Sequence, residues 1–124
     1  MTQLAPRTES IGAGDQSWLG SRHGTETPRS ASLNPTAWTS KTSNGRIKSG
    51  EPFAVVGGLA VPYAAGASDG TEVIYGFILT DVAVTAGAGN VTFPALRHGH
   101  IILPKLPSTV AATAKTSGLF TWEA

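Results

Sequence analysis

The chain has 124 residues, 14% of them charged and 40% hydrophobic, with a formal net charge of +1. That length holds one domain, or one small domain with a tail, and the balance is the reverse of a disordered chain. Without cysteine there is no disulfide, thiolate metal site or cysteine nucleophile.

No basic cluster or charge block points to nucleic acid, and no apolar run approaches a membrane span, so neither is an expected partner. The start, MTQLAPRTESIGAG, lacks the apolar core of a signal peptide, so synthesis and use in a cytosol are expected. The charge is uneven. Residues 1–50 carry six Lys or Arg against three Asp or Glu, and residues 51–124 carry three against five. A mildly basic arm on a mildly acidic body fits a tail that docks on a partner.

Residues 1–45 are rich in Ser, Thr, Gly and Asn, with Pro6, Pro28 and Pro35 spread through them. They show no lasting helical or strand period. Such a segment cannot bury enough apolar surface to offset its own ordering entropy. It is predicted to be an extended arm, mobile when unbound, able to reach about 150 Å at ~3.3 Å per residue. Two spots depart from a linker. Trp18-Leu19 is a large apolar pair in a polar run, and Ala31 to Trp38 alternates loosely. Trp38 is expected to pack on its own domain. Trp18 is equally suited to docking on a partner or folding back.

The body is predicted to span 46–124, after the turn dipeptide Asn44-Gly45. Phe53 to Val56, Gly57-Gly58 and Leu59 to Tyr63 read as a hairpin. Residues 65–70 are a loop. Thr71 to Val84 is the most apolar stretch, rich in β-branched and aromatic residues, and Gly76 within it marks a bulge or a close approach. Ala86 to Asn90 is a turn and Val91 to Phe93 a strand. Arg97 to His100 is expected to be a turn, and Ile101 to Leu103 a strand that Pro104 ends. Pro107 to Lys115 is expected to be a short helix closed by Gly118. Gly118 to Trp122 alternates as a closing strand. Many short strands with frequent turns argue a mainly β fold, sandwich or barrel-like, with one short helix and a long N-terminal arm.

Candidate chemistry is sparse. His98 and His100 could share a strand face toward a metal, but no third ligand is identifiable, so they are expected to be unliganded. Asp69 and Glu72 sit in SDGTE, which reads as a turn and not as an acid–base pair. Asp81 among Ser and Thr makes no triad, since a triad is a geometry. The Gly-rich turns do not lead into a phosphate-binding helix. Tyr75, Phe77 and Phe93 are expected in the core. No catalytic residue, metal or cofactor is expected, and the chain is expected not to be an enzyme.

Three blocks carry a resemblance. Arg46 to Phe53 (RIKSGEPF), Ala67 to Val82 (ASDGTEVIYGFILTDV) and Arg97 to Ile101 (RHGHI) are similar, as an ordered series along the chain, to the lambda-type head decoration proteins of tailed bacteriophages. Ser17 to Gly24 with Ala31 to Trp38 resembles the arm of longer versions from phages of actinobacteria. The Ala/Thr-rich 108–117 departs from the family pattern. The resemblance implies a β-tulip-type domain that binds the major capsid protein. It implies a homotrimer at three-fold and quasi-three-fold positions of the expanded head. The protein would be made in the bacterial cytoplasm and reside on the outer capsid surface of the virion, stabilising the shell. The arm residues expected to touch the capsid are Trp18, Leu19, Arg22, His23, Leu33 and Trp38. Deleting residues 1–32 would then leave a folded body that no longer binds heads. The alternative is another virion module, such as a glycan-binding tail or fibre domain, which requires exposed aromatics clustered on the body.

Overall fold

A computed structural model describes residues 16–20, 28–85, 87 and 89–123. The protein is mainly β, and its centre is a small closed barrel of five strands. In chain order the strands are β1 (Arg29–Leu33), β2 (Thr42–Ser43), β3 (Arg46–Ile47), β4 (Pro52–Val56), β5 (Leu59–Pro62), β6 (Val73–Ile74), β7 (Gly76–Ile78), β8 (Val82–Ala83), β9 (Val91–Leu96), β10 (His98–Ile102), β11 (Lys115–Thr116) and β12 (Leu119–Glu123). Short 3-10 helices cover Pro35–Lys41 and Leu103–Lys105.

The barrel runs β1-β5-β4-β7-β9 and closes back on β1. The β4–β5 hairpin forms as expected, and Gly57 and Gly58 supply the positive φ angles, 63° and 84°, that a tight two-residue turn requires. Asn44-Gly45 likewise joins β2 to β3, both with positive φ. Val73 to Leu79 is apolar throughout, and each of its residues is buried or half-buried. Successive residues of a strand point to opposite sides. Ile78, Phe93 and Ala95 therefore enter the barrel core with Leu33, Trp38 and Phe53. Phe77 and Leu96 enter a second core with Trp18, Ile101 and Val110, roofed by Phe120 and Trp122.

Three expectations are corrected. First, the body does not begin at residue 46. β1 pairs along its whole length with β9, and Leu33 meets Ala60 of β5, so residues 29–33 complete the barrel. β1 covers the edge of β9 along its whole length and closes onto β5 at the one pair. Second, no helix forms over 107–115. That stretch is irregular and ends in β11, which lies parallel to β6. Its β-branched Thr109, Val110 and Thr113 are poor helix formers, and Ser108 is drawn into a bond with Glu51. Third, Arg97 to His100 is no turn. Arg97 alone links β9 to β10, and the chain steps from the barrel onto a two-stranded parallel sheet of β10 and β12. The closing strand Leu119–Glu123 forms as expected.

Candidate docking surface

The residues expected to contact a partner lie mostly inside the protein. Trp18 is fully buried. Its indole N–H donates to Ser49 Oγ at 3.1 Å, and the Ser49 hydroxyl donates to the Leu79 carbonyl at 2.7 Å. Gln16 Nε2 reaches the same carbonyl at 2.6 Å. The backbone is held too: Ile102 N–H donates to the Trp18 carbonyl at 2.7 Å, and Gly20 N–H donates to the His100 carbonyl at 2.8 Å. Leu19 is half-buried in an antiparallel bridge to Ile101. Residues 16–20 are thus a clamp along β10.

Leu33 and Trp38 are also fully buried, and the Trp38 indole N–H donates to the Ala60 carbonyl at 3.0 Å. Trp18, Leu33 and Trp38 therefore hold the fold and present no side chain to a partner. This corrects their assignment to a contact surface. Two indoles in a short polar chain find their own domain because each has both an apolar pocket and an acceptor for its N–H. Arg22 and His23 lie outside the described residues.

A second cluster joins three segments around Glu51, the first residue before β4. Glu51 is buried, and desolvation pushes its carboxyl above the ordinary carboxylate range, against the opposing pull of the Ser108 bond and of Lys41 and Lys48. The Ser108 hydroxyl lies 2.9 Å from both carboxylate oxygens, and Lys41 Nζ donates to Ser108 Oγ at 3.1 Å. The cluster ties the first 3-10 helix to the 106–110 segment, so its role is structural. Its sign with pH is definite. A carboxyl with a raised folded pKa binds its proton more tightly in the native state. Its stabilising contribution is complete below the ordinary value near 4.5 and is lost as pH rises through the raised folded value. Urea midpoints measured across that window should fall with rising pH, and Glu51→Gln should flatten the trend. An unchanged slope in Glu51→Gln would show that other groups set it.

Asp69, Asp81 and His100 each have a partner. Asp69 Oδ1 accepts from Thr71 Oγ1 at 2.6 Å and from Thr71 N–H at 3.1 Å, bonds that lower its pKa and close the expected turn. Asp81 accepts from Ser49 N–H at 2.8 Å and faces Arg46 at 4.0 Å. His100 Nε2 lies 2.5 Å from Glu123 Oε1. Among the described residues no three His, Cys, Asp or Glu side chains come together as metal ligands, and no helix is long and apolar enough to cross a membrane.

What the surface offers is a groove and a strand edge. The groove, about 600 Å³, lies between the start of β1 and the starts of β10 and β12. Arg29, Tyr75, Arg97 and Leu119 line it, and among the described residues no carboxylate does. The Arg97 guanidinium stacks 3.8 Å above the Tyr75 ring and donates to the Tyr75 carbonyl, so its charge is held in place. Leu119 is 80% exposed, the most exposed large apolar side chain among the described residues. Sequence alone could not show this site, because its residues come from four separate segments. Leu119, as the outward residue of an alternating strand, was its one visible signal. No family model, curated protein or solved structure matches the chain.

Proposed function

We propose that the protein is a capsid decoration protein of a tailed bacteriophage, a β-tulip-type domain that stabilises the head. It binds as a homotrimer at three-fold and quasi-three-fold positions of the expanded major capsid protein lattice, on the outer surface of the virion. The observation that carries this reading is spatial. The three blocks that resemble the family, residues 46–53, 67–82 and 97–101, are far apart in sequence but adjacent in the fold. Ile78 N–H donates to the Glu51 carbonyl at 3.0 Å and Tyr75 N–H to the Phe53 carbonyl at 2.7 Å, joining the first two blocks. β9, paired with β7, leads directly into the third. The resemblance thus follows one structural unit and not scattered strands.

With Trp18 and β1 built into the body, the capsid-binding arm is residues 1–15, ahead of the clamp. Three such arms on one trimer act with a raised effective concentration, so their combined binding exceeds that of one. The glycan-binding alternative is not favoured, since every aromatic side chain is buried or half-buried.

The test is co-sedimentation with expanded, undecorated heads. Saturable binding at about three copies per three-fold site supports the proposal. Deletion of residues 1–15 should leave a folded protein that no longer sediments with heads. Failure of the folded full chain to bind would remove the proposal.

A further inference from the structure

We propose that the open edge of β12, with the basic groove at its start, is a docking site for an extended partner strand that places an acidic side chain beside Arg29 and Arg97. The inference does not rest on the decoration reading and concerns a different end of the chain from the arm.

The edge follows from the ladder. β12 pairs in parallel with β10 and, among the described residues, with no other strand. Leu119 N–H donates to the Arg97 carbonyl at 3.1 Å, which fixes the phase. In a parallel ladder the peptide groups of alternate residues point to opposite sides. Those of Leu119, Thr121 and Glu123 face β10, and those of Phe120 and Trp122 face outward. Two N–H and two carbonyl groups therefore stand ready on one straight edge.

Natural sheets blunt such edges with lysine, proline, bulges or very short strands. β12 carries neither lysine nor proline, and all five of its residues pair in unbroken register. The barrel strands each have a neighbour on both sides, and the remaining small sheets are built from two-residue strands, too short to template a partner. Among the described residues β12 is the five-residue strand that has a partner strand on one side only.

Charge selects the occupant. The Leu119 end of β12 adjoins a groove holding Arg29 and Arg97. The far end carries Glu123, beside His100. A carboxylate on the incoming strand near Leu119 enters the positive field of Arg29 and Arg97 across the start of β12, and one at the far end faces Glu123. The gradient sets register as well as preference. Leu119 offers an apolar seat for a neighbouring β-branched side chain. Recognition is then by main-chain bonds to Phe120 and Trp122 with specificity from the flanking groove, the usual logic of strand addition.

The probe is the peptide acetyl-Glu-Val-Thr-Val-Thr-amide, titrated into the ¹⁵N-labelled full chain. Amide shifts should be confined to Gly118–Glu123 and the groove, and Phe120 and Trp122 should gain protection from hydrogen exchange. The same peptide with Lys in place of Glu should bind at least about tenfold more weakly, as should the Glu peptide to Arg29→Glu, each losing a charge-assisted contact. Arg29 is exposed on β1, so that variant should fold normally. Three results would overturn the proposal: no shifts at millimolar peptide, equal affinity for the Glu and Lys peptides, or a concentration-dependent dimer through β12 that the peptide does not disrupt. The last would assign the edge to a second copy of the chain.

Discussion

Trp18→Ala should destabilise the protein by about 3–5 kcal/mol, the range for truncating a fully buried large aromatic. The indole fills a site bounded by Phe77, at 5.8 Å between ring centroids, and by the Gly50 backbone, where even a Cβ would come within 2.8 Å of the Trp18 ring. Its removal leaves a cavity and takes away the donor that satisfies Ser49 Oγ in a buried position. The clamp of residues 16–20 loses its anchor as well. Domains of this size have a total stability of about 5–15 kcal/mol, so the variant should sit near its threshold. The urea midpoint should drop by about 2 M or more at an unchanged slope. Deletion of residues 1–32 should act in the same direction and further, because it also removes four of the five residues of β1 and opens the barrel. That variant is expected to be unfolded, the reverse of what a free arm ending at residue 45 implies. A loss below about 1 kcal/mol in Trp18→Ala would mean that the clamp contributes little and that Trp18 is available to a partner after all.

The strands of the body were legible because both of their signals are local. Gly57-Gly58 between two apolar runs names its own hairpin, and Asn44-Gly45 names its own turn. The role of residues 29–33 was not legible, because a strand closing a barrel needs only a backbone and a few inward side chains. Ser30 and Ser32 look like linker until Pro94 and Thr92 are seen opposite them. The failed helix at 107–115 has the same cause in reverse. Its capping pattern is local, but Ser108 bonds to a buried carboxylate 57 residues away, a competing contact that the local pattern does not contain. The groove is the least legible feature. Arg29 and Arg97 are 68 positions apart in sequence, and only the β1–β9 pairing and the single-residue link at Arg97 bring them to one surface.

Gly76→Ala tests the barrel seam itself. Gly76 is paired with Phe53 of β4, and β7 also pairs with β9. A Cβ at Gly76 would lie 2.6 Å from the Leu96 carbonyl oxygen and 3.4 Å from the Phe53 ring. The first contact is with backbone, so no rotamer change relieves it, and β7 must separate from β9. Overpacking of this kind costs about 1–3 kcal/mol, and a rigid backbone partner places it toward the upper end. Replacing glycine restricts the unfolded chain and returns about 0.5–1 kcal/mol, so the net loss should be about 2 kcal/mol. For a domain near this size that is a fall in Tm of about 10 °C. Gly89→Ala is the control. Nothing lies within 4 Å of its Cβ position and its φ is not in the left-handed region, so it should be neutral or slightly stabilising. Equal Tm values for the two variants would show that β7 and β9 yield without cost, and that the close approach at Gly76 does not hold the barrel shut.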